Sequence, residues 1–280
     1  MQTFQGKVAA ITGAGSGIGR ELAIQLAAQG CHLSLADLDE TNVSATAALA
    51  RDTNPAVRVT VSTLDVADRE AVFAWAERTA NEYGKINLIF NNAGVALSGT
   101  AEATTIDKFT WLMNINFWGV VHGTQAFLPY LRASGNGHVV NTSSLFGLLA
   151  APGSSTYNAA KFAVRGYTES LRQELDLMRC GVSATCVLPG GIKTAIARNA
   201  RTDASIAALG IDPATRTDKF SKNLVTSASR AAGIILAAVR QNKRRVLVGK
   251  DAVLLDKIQR VFPSAYAGVI RLMMRRTYGI

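Results

Sequence analysis

Tyr157 and Lys161 stand four residues apart in Tyr157-Asn158-Ala159-Ala160-Lys161, a spacing that puts a phenol and an ammonium on one face of a helix. A positive charge beside a phenol favours the phenolate. A phenol of ordinary pKa about 10 can then take or give a proton nearer neutral pH. Alone, this spacing is equally that of a packed helix face. Ser144 lies 13 residues before Tyr157, directly after an apolar run, and adds a hydroxyl at a fixed interval.

A second group of residues is suited to an anion. Thr12-Gly13-Ala14-Gly15-Ser16-Gly17-Ile18-Gly19 follows the first apolar run and opens a helical segment. Glycine lets backbone approach a pyrophosphate closely, and a helix start offers free N–H groups and the positive end of a dipole. The strict GxGxxG spacing is not met, because residue 20 is Arg; the glycines fit TGxxxGxG instead. Asp37 follows 18 residues after Gly19, at the end of a second apolar run. A carboxylate there accepts hydrogen bonds from a ribose hydroxyl and repels a 2′-phosphate. Leu38, Asp39 and Glu40 come next, and Ser16 inside the glycine loop is not basic, so NAD is favoured over NADP. The alternative is that Asp37 begins a turn or caps the next helix. Further on, Leu64-Asp65-Val66 offers Asp65 to an adenine amino group. Asn91-Asn92-Ala93-Gly94 is small and polar where backbone would pass a ribose.

The elements that must carry these residues alternate. Strands are expected at Val8 to Thr12, His32 to Ala36, Val57 to Val61, Ile86 to Phe90, His138 to Asn141, Val182 to Leu188 and Arg245 to Val248. Helical periods lie between them at Ile18 to Gln29, Glu40 to Arg51, Glu70 to Tyr83, about 106 to 133, Ser155 to Met178 and Ser227 to Arg240. Strands joined by helical crossovers imply an α/β fold: a doubly wound, Rossmann-type parallel sheet of about seven strands with helices on both faces. No repeat, low-complexity tract or linker suggests a second domain. Residues 1–250 form the expected dinucleotide-binding and catalytic unit, with a candidate substrate loop at about 192–225, followed by an extension at 251–280.

In order and at these intervals, TGAGSGIG at 12–19, NNAG at 91–94, NINFWG at 114–119, NTSS at 141–144, YNAAK at 157–161 and PGGIKT at 189–194 resemble the motifs of the short-chain dehydrogenase/reductase family. The resemblance spans residues 6 to about 250. It implies a hydride transfer between NAD(H) and an alcohol or ketone, with Tyr157 as general acid/base and Ser144 hydrogen-bonded to the substrate oxygen. Ser143 is the neighbouring candidate, but Ser144 has the expected interval to Tyr157. Lys161 would bind the nicotinamide ribose and lower the Tyr157 pKa. Asn116, rather than Asn114, would hold a water leading to Lys161. Gly13, Ser16, Gly17, Ile18, Gly19, Asp65, Val66, Asn92, Ala93, Gly94, Pro189 and Gly190 would line the cofactor, and Ile192 and Thr194 would meet its carboxamide. A homo-oligomer, dimer or tetramer, is expected. The rivals are an NADPH-dependent carbonyl or 3-oxoacyl reductase, which wants a basic residue near Asp37 or at position 16, and a non-catalytic nucleotide sensor.

Composition bounds the rest. The 280 residues are 48% hydrophobic and 18% charged, the balance of a folded chain, with no run long enough to span a bilayer. No secretory signal is visible at the start. Cys31, Cys180 and Cys186 form no CxxC, and His32, His122 and His138 have no ligand spacing, so buried thiols in a reducing cytosol are expected, with no metal. The last 41 residues hold ten Lys/Arg against Asp251 and Asp256, and so carry eight of the ten net positive charges. This basic tail is interleaved with apolar residues. Two short helices broken at Pro263 and Gly268, packed near the substrate loop, are expected; oligomer contact and peripheral contact with an anionic membrane are the alternatives. No nucleic-acid motif accompanies the charge. Apolar residues after Ser144 and after Gly94 suit a hydrophobic alcohol or ketone. Arg198, Arg201, Arg216 and Lys219 are either solvated loop charges or contacts to an anionic group.

Overall fold

Seven apolar runs pair into one parallel sheet: β1 Val8–Thr12, β2 His32–Asp37, β3 Val59–Thr63, β4 Leu88–Asn91, β5 Gly137–Thr142, β6 Val182–Pro189 and β7 Arg245–Val248. The structure, a computed structural model, describes residues 1–280. Spatial order is β7-β6-β5-β4-β1-β2-β3, so winding reverses between β1 and β4. In doubly wound sheets the crevice outside the strand ends at such a reversal receives ligands.

Side chains alternate across this sheet, and each face has its own core. Ile11, Leu33, Leu35 and Phe90 pack with helices α1 Gly17–Ala28 and α2 Glu40–Thr53 and with the helix Ala228–Arg240. Ala10, Ile89, Val139 and Ala184 face the other way, onto Trp75 of α3 Arg69–Tyr83, Phe127 of the helix Gly119–Ala133, and Leu171 and Leu175 of the helix Ser155–Met178. Asp39 and Asp68 cap α2 and α3 by accepting from Asn42 N and Ala71 N. Gly84 ends α3 at φ +72°, a conformation that costs a glycine nothing.

Three expectations need correction. The third strand begins at Val59, two residues late, because Val57 N turns back to Asn54 O at 3.2 Å. The helix expected over 106–133 is Ile106–Met113, one π-turn at Asn114–Trp118, then Gly119–Ala133. The wider turn contains Asn116, which is fully buried. In the tail, helices run over Lys250–Val261 and Tyr266–Tyr278; Pro263 sits in the break, but Gly268 lies inside the second helix. No helix is long and apolar enough to cross a membrane.

His138 in β5 is 1% exposed, and its Nε2 lies 2.8 Å from Thr185 Oγ1. Burial pushes its pKa from 6.5 down to about 3, so the folded chain keeps it neutral. A group whose folded pKa is depressed in this way binds its proton first in the unfolded chain. Stability is therefore lost as pH falls below 6.5. Between pH 7 and pH 5 this one group should remove about 2 kcal/mol. Urea unfolding at the two pH values checks it: His138→Gln should show a loss smaller by that amount, and equal losses would refute the assignment.

Candidate active site

The loop after β1 and the loop after β4 meet at the reversal point, and Thr12 joins them. Its Oγ1 accepts from Asn92 N at 3.0 Å and Ala93 N at 3.1 Å, while Asn92 Nδ2 donates to Thr12 O and Gly13 O. The approach is close enough that a Cβ on Gly13 would lie 2.8 Å from Ala93 Cα. At the start of α1, Ser16 makes no side-chain cap and the first turn holds no acidic residue. The free N–H groups of the helix thus keep their positive end uncompensated. Arg20, where a third glycine was looked for, donates to Gly15 O and Thr46 Oγ1 and so braces the loop from behind.

Asp37 caps no helix; Asp39 does. Asp37 Oδ2 accepts from Gly15 N at 2.8 Å and Oδ1 from Asp39 N at 3.1 Å, and the carboxylate borders the cleft at the rim of the glycine loop. The cleft, about 650 Å³, continues past Asp65, Val66, Asn92, Ala93 and Gly94 to Ser144, Tyr157 and Lys161. Gly13, Ser16, Gly17, Ile18, Pro189, Gly190, Ile192 and Thr194 also line it. Gly19 and Asn116 do not. A Cβ on Gly19 would lie 2.1 Å from Gly13 O, so that glycine serves close packing inside the loop.

The polar set at the far end is divided between support and contact. Ser143 Oγ donates to Lys161 O at 2.7 Å and is buried, tying the strand-five loop to the long helix. Ser144 Oγ accepts from Phe146 N at 3.1 Å and lies beside the Tyr157 phenol, close enough to oppose the upward shift of its pKa. Phe146 meets the tyrosine ring edge to face at 6.1 Å. Lys161, 2% exposed, donates to Thr142 O at 3.0 Å, with its ammonium 5.7 Å from the tyrosine ring centre. Asn116 Oδ1 accepts from Val95 N and its Nδ2 donates to Val95 O, so both ends of the amide hold the segment after NNAG. Gly94 lets this corner close: a Cβ there would be 3.1 Å from Asn116 Oδ1 and 3.5 Å from Lys161 Nζ.

The electrostatics depart from expectation in one respect. Burial raises the Tyr157 pKa, and the Ser144 hydrogen bond only partly opposes it. Burial also pulls Lys161 down to about 8. Burial disfavours the charged form of each group, phenolate and ammonium alike. The side chains alone therefore leave the phenol protonated at neutral pH.

Residues that the motifs do not include complete the walls. Asp251, the second residue of the helix Lys250–Val261, accepts from Gly191 N through Oδ2 at 2.6 Å. A Cβ on Gly190 would lie 2.2 Å from that oxygen, so the paired glycines exist to admit this carboxylate. In the sequence Asp251 counts only as charge in a basic tail; the Gly190-Gly191 pair is the signal that a bulky neighbour is near. The last helix brings Ile270, Met273, Met274 and Tyr278 to the cleft, and Tyr266 OH accepts from Ala150 N at 3.2 Å. The segment 192–225 holds short pieces, Ala195–Arg198, Ala204–Leu209 and Arg216–Ser221, closed on the tail by Lys219 Nζ to Tyr278 O at 2.9 Å.

The chain is similar to known proteins. A family model described as short chain dehydrogenase matches residues 7–205. A protein named as the oxidoreductase SadH of Mycobacterium tuberculosis is 46% identical over 271 residues, 96% of each chain. Levodione reductase of Leifsonia aquatica is 36% identical over 197 residues, 70% of this chain and 73% of its own. A short chain dehydrogenase/reductase from Burkholderia phymatum, solved in complex with NAD, superposes with a TM-score of 0.85 at 30% identity, covering 93% of this chain and 95% of that one.

Proposed function

The chain belongs to the short-chain dehydrogenase family, and on that premise we propose that it is an oxidoreductase moving a hydride between NAD(H) and a hydrophobic secondary alcohol or ketone. The observation that carries this reading is one continuous cleft with the glycine loop and Asp37 at one end and Ser144, Tyr157 and Lys161 at the other. The cofactor fits by the space left for it. Cβ atoms on Gly13 or Gly17 would press on Ala93 or Thr194, and an uncapped helix start free of acidic side chains suits a pyrophosphate. Asp37 accepts a ribose hydroxyl and opposes a 2′-phosphate, and no basic residue follows it, which favours NAD over NADP. The relatives' names support the same chemistry: a neighbour solved with NAD and a reductase of a dione.

When bound, NAD supplies the hydride acceptor at its nicotinamide ring. The chain's residues manage the proton and the oxygen. Ser144 donates to the substrate oxygen, and Tyr157 removes the alcohol proton in oxidation or returns it in reduction. Lys161 lies behind Tyr157 and steadies the charge that develops on the phenol. Asn116 holds the Gly94–Val95 turn beside the lysine through both ends of its amide. Asp65, Val66, Asn92, Ala93 and Gly94 would flank the nucleoside portions, Pro189 and Gly190 would line the cofactor, and Ile192 and Thr194 would meet its carboxamide. Because burial raises the phenol pKa, alcohol oxidation strengthens toward alkaline pH and ketone reduction toward lower pH. The apolar walls around Leu149, Ile206 and Met274 suit an apolar substrate body. Three free thiols fit a reducing compartment.

Tyr157→Phe keeps the ring and deletes the proton. Turnover should fall about 10²- to 10⁴-fold while NAD affinity, read by fluorescence titration, stays near wild type. Retention of half the wild-type rate would refute the assignment. Asp37→Ser should lower KM for NADP and raise it for NAD, each by about tenfold; an unmoved preference would refute the cofactor reading. The tail also bears exposed Leu254, Phe262 and Leu272 near Lys257 and Arg271, a face for a second copy of the chain or for an anionic bilayer. Light scattering should give a dimer or tetramer, with no pelleting on anionic vesicles at low salt; a monomer that pellets would reverse that choice.

A further inference from the structure

Six basic residues lie in the segment 192–225, and the fold treats them differently. Lys193 and Lys222 are exposed. Arg198 is exposed. Arg201 is exposed and stacks on Trp111 at 3.7 Å. Lys219 is committed to Tyr278 O. Arg216 alone of the six lines the cleft. It is half-buried, stands 5.8 Å from the Phe220 ring and takes part in none of the chain's ion pairs, so no carboxylate lies within 4 Å of it. Burial lowers its pKa, and its one resolved charge neighbour is the Tyr278 phenol, itself raised by burial and so a hydrogen-bond donor.

The surroundings make this cation costly. Ile206, Ile211, Phe220, Met273 and Met274 line the same cleft; Phe220 lies beside the guanidinium, and Ile206, Ile211 and Met274 cluster with Tyr278. A guanidinium withdrawn from water into such a lining is unfavourable unless a partner restores what it loses. Nothing in the chain does so. The cleft lining contains one other basic side chain, Lys161, which is bound to Thr142 O beside Tyr157. One uncommitted positive charge matches a ligand with one negative charge. A phosphate of charge near −2, or the several phosphates of a larger carrier, would be left largely unneutralised.

Resting on the oxidoreductase reading above, we propose that the substrate is an amphipathic secondary alcohol or ketone with a carboxylate at the end of its apolar body remote from the reacting carbon, and that Arg216 binds that carboxylate. The apolar body lies along the methionines of the last helix, with the hydroxyl or carbonyl at Tyr157 and the carboxylate at the guanidinium, which can hold it through two parallel hydrogen bonds. Tyr278 OH adds a donor to the same group. The C-terminal extension is thereby part of the substrate site and sets which alcohols enter.

The test uses the full-length enzyme with NAD and a matched pair, 10-hydroxyundecanoate and its methyl ester, in wild type and in Arg216→Gln and Arg216→Lys. Wild type should favour the acid by about tenfold or more in kcat/KM, the contribution of one charge-assisted contact. The preference should disappear in Arg216→Gln, chiefly through KM for the acid, and return in part in Arg216→Lys. Equal use of acid and ester by wild type, or a preference untouched by Arg216→Gln, would overturn the proposal. Calorimetric binding of both compounds runs alongside. Acid binding that depends on Arg216 without any turnover upholds the carboxylate site and sinks the oxidoreductase reading. Turnover of both compounds with no Arg216 dependence does the reverse.

Discussion

Between β1 and β4 the winding of the sheet reverses, and the loops leaving those strands would diverge if nothing joined them. Thr12 Oγ1 does so by accepting two backbone N–H groups, those of Asn92 and Ala93, while the Asn92 amide returns two bonds to the glycine loop. The crevice for a dinucleotide exists because these loops touch at their base and open above it. Glycine at residues 13 and 94 follows from that contact, since a Cβ at each would press on the opposing loop or on the Asn116 and Lys161 side chains, and glycine at 17 follows from the approach of Thr194. The rest of the cleft is built outward from this seam.

At the chemical end, position is achieved at an electrostatic cost. Tyr157 and Lys161 are both withdrawn from water, which moves the phenol up and the ammonium down. Backbone carbonyls and small polar side chains do the holding: Thr142 O on the lysine, Ser143 on the helix that carries it, Val95 on Asn116. Such groups fix geometry without adding charge. Under the proposed reaction, the phenol is thus a rigidly held acid whose ionisation can answer to what binds beside it.

The C-terminal extension is structural to the site although it lies outside the matched family region, which ends at residue 205. Asp251 anchors the loop after β6 through Gly191 N, and the last helix closes the apolar end with Ile270, Met273 and Met274. A basic tail therefore has two characters: an apolar face turned into the cleft and a charged, partly apolar face turned out.

Periodicity and motif spacing alone determine the seven strands, their parallel sense, the glycine loop, Asp37 and the Ser144, Tyr157 and Lys161 set, because each depends on residues near one another in the chain or on a fixed interval along it. What those residues hold in place needed the fold. The interval to Tyr157 favours Ser144 over Ser143, but only the fold shows Ser143 tied to a helix carbonyl. Asn116 is preferred over Asn114 by the motif, but the π-turn that carries it and its two hydrogen bonds to Val95 are announced by no local pattern. Among Arg198, Arg201, Arg216 and Lys219, sequence offers four equivalent charges, and only packing distinguishes the one that lines the cleft. The direction of the Tyr157 shift also escaped the sequence. Adjacency of a lysine is written in the spacing, but desolvation depends on every atom that surrounds the pair, and those atoms arrive from segments distant in the chain, brought together only when the sheet closes.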